Sequence, residues 1–250
     1  MTKILAVGNS FSEDATAYLH DMADCAGVDT KVVNLYIGSC PLKAHWENAQ
    51  HDYASYDYQL NGQSSSKKSS IKDALSEDIW DYVIMQQVSF DSGVEETYFP
   101  YIQYLSAYIR EYAPNAAQLL HQTWAYEIDS GHSGFGIYNN DQAAMHAALR
   151  SAYQKAADTI NTGIIPCGDV IAALRKLKEF DYANGGQSLC RDGFHMHMIY
   201  GRYATAATWY ETILKMNICA NPYLPPCCDN TDQTELIECI KNTVHMICNS

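Results

Sequence analysis

The stretch Lys3-Ile-Leu-Ala-Val-Gly-Asn-Ser-Phe-Ser12 decides how the rest of the chain is read. Ile4 to Val7 form a short unbroken apolar run, the pattern of a strand buried on both faces of a parallel sheet. The run stops at Gly8, and Glu13 to Ala26 has the spacing of an amphipathic helix. Gly8 to Ser12 therefore occupy a strand-to-helix turn at the carboxyl end of a central strand, where open α/β sheets bind ligands. Two readings fit the serines. Ser10 or Ser12 can serve only as the helix cap. Alternatively one hydroxyl, close to the helix's unpaired N–H groups, takes part in chemistry where negative charge develops.

Working outward, strands and helices alternate. Lys31 to Tyr36 reads as a second strand, broken at Gly38, with a short helix over Pro41 to Ala49 carrying Trp46. Tyr53 to Leu60 and Gln63 to Ser70 flank Asn61-Gly62, a hairpin signal because both turn residues must take positive φ. The expectation is a two-stranded excursion near the sheet's carboxyl edge, then a helix over Ile71 to Ser76. Trp80 to Gln86 is a third buried strand with Gln86-Gln87-Val88-Ser89 as its exit, and Tyr98 to Tyr112 is helical. Ala117 to Thr123 is strand four and Gly163 to Pro166 strand five, separated by a long helix over Asp141 to Ile160. Further helices are predicted over Val170 to Lys178, Ile199 to Met216 and Thr234 to Ile247. Five parallel strands with right-handed crossovers predict a three-layer α/β/α sandwich, with residues 1–250 as one domain. The hairpin over about 53–70 is an insert, and about 217–250 form a cysteine-rich C-terminal extension.

Composition narrows the function. The 250 residues are nearly half hydrophobic, enough for one sizeable core and incompatible with a disordered chain. A net charge of −13 argues against nucleic acid or an anionic membrane as partner, since both require basic patches. No basic segment with an apolar stretch behind it precedes the first strand, so a cytoplasmic protein is expected, or a secreted or periplasmic one if a leader was removed. The nine cysteines are odd in number, and those at 219, 227, 228, 239 and 248 lack paired Cys-x-x-Cys spacing. Mostly free thiols and no zinc site are expected, with a disulfide in the tail only if the protein is exported.

The second chemical signal is Asp192-Gly-Phe-His195, in a loop directly before the last core helix. An aspartate three residues from a histidine can fix its tautomer and leave the other ring nitrogen free as a base. With that loop beside the first strand's exit, His195 reaches Ser10, and the chain order is Ser, Asp, His. His197 is expected to point away, as a core or helix-start residue, and His121 to be a satisfied core histidine.

In these residues the chain resembles the SGNH, or GDSL-like, serine hydrolases. Gly8-Asn9-Ser10-Phe11 is similar to their first motif, with Asn9 where an aspartate usually stands. Gly38 matches the glycine of the second, and Asp192 and His195 with Gly201 and Tyr203 match the last. The resemblance covers residues 3 to about 216. It implies a flavodoxin-like sandwich and an esterase with a Ser10-His195-Asp192 triad, needing no metal or cofactor. Its oxyanion donors would include the N–H groups of Ser10 and Gly38. The third motif departs: Gly-x-Asn-Asp is replaced by Gln86-Gln87-Val88-Ser89, so either Gln86 or Gln87 would supply the side-chain donor, Gln86 being nearer the strand, or a glutamine there only satisfies loop backbone groups. Trp80-Asp-Tyr-Val together with His121-Gln-Thr-Trp-Ala-Tyr126 is similar to a branch of that superfamily from gut bacteria.

Trp46, Tyr53, Tyr56, Trp124 and Tyr126 are expected on loops at the carboxyl edge, where rings either stack on a sugar or pack the insert's own small core. Three functions remain open on these grounds: an esterase for a small acyl ester, such as an O-acetyl carbohydrate; a flavodoxin-like binding protein whose Gly8–Thr16 loop holds a phosphate; and a non-catalytic carbohydrate-binding relative.

Overall fold

The computed structural model describes residues 1–226, 228 and 230–250. In chain order the elements are β1 (Thr2–Gly8), α1 (Ser10–Thr16), α2 (Leu19–Cys25), β2 (Thr30–Tyr36), α3 (Leu42–Gln50), β3 (Tyr56–Leu60), β4 (Gln63–Ser69) and α4 (Ile71–Ser76). They continue with β5 (Tyr82–Met85), α5 (Tyr101–Tyr112), β6 (Ala117–His121), α6 (Gln142–Ile160), β7 (Gly163–Ile165), α7 (Cys167–Leu174), α8 (Tyr200–Trp209) and α9 (Thr231–Cys248). The sheet runs β4-β3-β2-β1-β5-β6-β7. β1 lies at its centre, parallel to β2 and β5, and Ile4, Leu5, Ala6 and Val7 are all at most 3 % exposed. β5, β6 and β7 are likewise parallel.

The sheet has seven strands rather than five. The hairpin is not a separate excursion: β3 pairs antiparallel with β2, setting Tyr58 opposite Leu35, and β4 pairs with β3. Its turn residues Asn61 and Gly62 have φ of 50° and 76°, the conformation the dipeptide favours. That turn also explains a second difference. The helix expected over Glu13 to Ala26 is broken into α1 and α2 at Ala17-Tyr18. A Cβ on Gly62 would stand 2.4 Å from the Ala17 carbonyl oxygen, so the hairpin tip packs directly on the break. Thr16 adds to it by donating its hydroxyl to the Ser12 carbonyl at 2.8 Å, a contact that competes with helical hydrogen bonding.

The last core helix is shorter than its periodicity predicts. α8 passes into a π-helical turn over Tyr210–Leu214 and stops at Lys215, whose φ is 57°. α9 returns against α8, burying Ile237, Ile240 and Val244 completely, so the C-terminal extension shares the main core. Cys25, Cys40, Cys167, Cys190, Cys219, Cys239 and Cys248 are free thiols; Cys227 lies outside the described residues. Among the described residues no helix is long and apolar enough to cross a membrane.

Candidate active site

The cap of α1 is Asn9, not a serine. Its extended backbone and side-chain oxygen, which accepts the Phe11 N–H at 3.1 Å, satisfy the helix start. This separates the two serines. Ser12 is buried and donates to the Asn9 carbonyl and Asn34 Oδ1. Ser10, half-buried, has its hydroxyl free to donate to His195 Nε2 at 2.9 Å.

His195 in turn donates through Nδ1 to Asp192 Oδ2 at 2.7 Å. Asp192 Oδ1 accepts the N–H groups of His195 (2.8 Å) and Phe194 (3.3 Å), a turn in which Gly193 takes φ of 87°. Partial burial disfavours the Asp192 carboxylate, but its bonds to the His195 ring and to two backbone N–H groups outweigh this and hold it below its ordinary value. The aspartate thus stays ionised and fixes the imidazole with Nε2 as acceptor. Side-chain exposures of 22 % for His195 and 43 % for Asp192 leave the arrangement open to solvent.

Neighbouring elements hold the two halves together. Asp14, fully buried one turn after Ser10 on α1, accepts Met196 N–H at 2.8 Å, Arg191 Nη1 at 2.9 Å and Arg202 Nε at 2.8 Å. The loop ending β6 adds two more ties. Trp124 Nε1 donates to the Phe194 carbonyl at 2.8 Å, and Glu127 N–H to the Gly193 carbonyl at 2.7 Å. Neither Asp14 nor its arginines stood out in the sequence; the only local signal was a carboxylate on the inward face of an amphipathic helix.

Several expected residues have other positions. Trp124 and Tyr126 are fully buried and cannot stack on a ligand. Trp124 lies on Phe11 with centroids 4.2 Å apart, and Tyr126 shares a hydrogen bond with Ser89. Trp46 packs against Tyr104 and Tyr108 of α5, while Tyr56 is buried against His45. Gln87 is a brace rather than an open donor: its carbonyl accepts the N–H groups of Leu42 and Val88, and its amide donates to Thr97. Gln86 is also buried, and its amide donates to Asn9 Oδ1 at 2.6 Å, with Oε1 left unpartnered. It therefore supports the cap from within. Gly38 sits exposed in the loop after β2, and Asn9 Nδ2 reaches the neighbouring Cys40 carbonyl at 3.3 Å. His197 lies at the start of α8, accepting Ile199 N–H at 3.3 Å and stacking on Tyr200. His121 is a core residue that accepts Trp209 Nε1–H at 2.9 Å.

The central strand ends at Gly8, two residues before Ser10, and Asp192 and His195 close on that serine from far along the chain, on a mixed α/β fold similar to that of SGNH hydrolases. The chain belongs to the DUF4886 family, described as a domain of unknown function, whose profile matches residues 3–244. A DUF4886 family protein from Bacteroides uniformis is 32 % identical, with 98 % of this chain and 93 % of that one covered and a TM-score of 0.89. At 19 % identity, a candidate SGNH hydrolase from Slackia heliotrinireducens superposes with a TM-score of 0.57 over 85 % of this chain and 98 % of its own. A catalytic mutant of Axe2, an acetylxylan esterase from Geobacillus stearothermophilus, is 15 % identical with a TM-score of 0.52, covering 84 % and 93 %. No curated protein sequence matches this one.

Proposed function

We propose that this protein is a serine esterase that removes a small acyl group, an O-acetyl group on a carbohydrate being the favoured substrate. The observation that carries the reading is the unbroken Ser10–His195–Asp192 relay, at 2.9 and 2.7 Å. Neutral His195 takes the Ser10 proton as Oγ bonds to the ester carbonyl carbon. The tetrahedral oxyanion is met by the N–H groups of Ser10 and Gly38, with Asn9, braced by Gln86, setting the first of these. On collapse the carbon–alkoxide bond breaks and the His195 imidazolium protonates the departing alcohol. Water, deprotonated by the same imidazole, then releases the acid and restores Ser10. The five parallel strands in the order β2-β1-β5-β6-β7, a flavodoxin-like arrangement, support the same reading, as do the acylated-sugar esterases among proteins of similar fold.

Hydrolysis of p-nitrophenyl acetate by the wild type, absent in Ser10→Ala, tests the proposal. Equal rates in the two, or no hydrolysis in either, would refute it.

A further inference from the structure

The expected sugar platform of Trp124 and Tyr126 is buried, yet a different strip of rings begins at the base itself. The Phe194 ring lies against His195 with centroids 4.2 Å apart. His132 meets Phe194 edge-on at 4.9 Å, and Phe90, on the loop after β5, stacks with His132 at 6.1 Å and 17°. All three are half-buried, so each keeps part of its surface exposed.

The strip has one defined polar atom. His132 Nδ1 accepts the Gly134 N–H at 3.0 Å, which leaves the ring proton on Nε2. Partial burial and the nearby His195 lower its proton affinity, against the pull of Asp192, so the ring is neutral and Nε2 is a donor. Gly134 makes this fit possible: a Cβ there would stand 2.4 Å from Phe90 Cβ.

The chemistry fixes which part of a substrate meets these rings. His195 must protonate the departing oxygen, so the alcohol lies alongside His195, and Phe194 forms the wall on that side. Resting on the esterase reading, we propose that Phe90, His132 and Phe194 form the leaving-group subsite and that it takes the ring of a neutral sugar. The sugar's apolar face lies on Phe194, and His132 Nε2–H donates to a hydroxyl or ring oxygen. A neutral donor offers nothing to a cationic ligand, and an anionic one would approach Asp192 in a chain of net charge −13.

Kinetics on two acetates separate the subsite from the machinery: p-nitrophenyl acetate and a mono-O-acetylated methyl pyranoside. In His132→Phe, which keeps a ring and removes the donor, KM for the pyranoside should rise tenfold or more beyond any change on the aryl ester, with kcat little altered. His132→Gln, which restores an N–H, should recover part of that loss, and Phe194→Leu should repeat it. Parallel losses on both esters, or none on either, would overturn the assignment. If the wild type cleaves only the aryl ester, the subsite fails and the esterase reading stands; if it cleaves neither, both fail.

Discussion

Asp14 accepts the backbone N–H of Met196 at 2.8 Å, one residue beyond His195 and one helical turn from Ser10. A single buried carboxylate therefore ties the helix that carries Ser10 to the loop that carries His195, although more than 180 residues separate the two. Arg191 and Arg202 neutralise it from the loop and from α8. Asp14→Asn should strand both guanidinium groups, at the low end of the ~3–5 kcal/mol typical of a broken buried pair because the arginines are part-exposed. A loop shift of ~1 Å should also reduce ester turnover about 100-fold. Denaturant unfolding and p-nitrophenyl acetate kinetics check the two effects, and an unchanged rate would show that the loop holds its place unaided.

Ser10 should be the residue labelled by fluorophosphonate probes, because a base-activated hydroxyl attacks such electrophiles. Mass spectrometry of wild type and Ser10→Ala decides it; equal labelling sinks the assignment. His195→Ala should abolish both labelling and turnover, whereas His197→Ala, acting only at the start of α8, should leave most of each. Asp192→Asn should cost up to about 10⁴-fold through the wrong tautomer.

The two glutamines should part company. Gln86→Ala removes the brace under Asn9, and turnover should drop about 100-fold through a displaced Ser10. Gln87→Ala leaves the Leu42 and Val88 N–H groups without an acceptor, a loss of ~1–3 kcal/mol in stability with a smaller effect on rate. Unfolding midpoints and kcat, measured for each variant alone, distinguish them. The reverse pattern would make Gln87 the functional member.

Stability should fall on the acid side of neutrality. Burial lowers His45 and His121 from 6.5 to about 3. The unfolded chain therefore takes up protons before the folded one. Stability is full above the ordinary histidine value and is lost as pH falls from 6.5 toward about 3. Urea midpoints measured across that interval should decline steadily, and His45→Gln or His121→Gln should flatten the slope whatever it does to the level. An unchanged slope in both would move the acid sensitivity to other groups.

Much of this was legible because its causes are local. Ile4 to Val7 announce a doubly covered strand, Asn61-Gly62 dictates its own turn, and Asp192-Gly-Phe-His195 folds back on itself within four residues. What was illegible depends on distant contact. Nothing near Ala17 foretells a helix break imposed by the hairpin tip. The apolar character of Trp124 and Tyr126 suits a rim and a core equally, and only packing against Phe11 and Ser89 decides. Serine at a strand exit reads as a cap until Asn9 is seen to hold that position. His132 belongs to no motif; its interest arises from Phe194, a loop away.

The hairpin has one more consequence, for how copies of this protein meet. By pairing with β2 it moves the sheet's open margin outward to β4, whose first six residues, Gln63 to Lys68, are exposed. Lys68 is bound to Asp57, and Lys67 lies over the Tyr58 ring. At the opposite margin β7 is only three residues long. Unpaired strands are templates for chain-to-chain pairing and aggregation, and short length and lysines are what discourage it. The polar insert is thus a guard rail for the parallel strands within, and Lys67→Val with Lys68→Val would turn that guarded margin into an adhesive one.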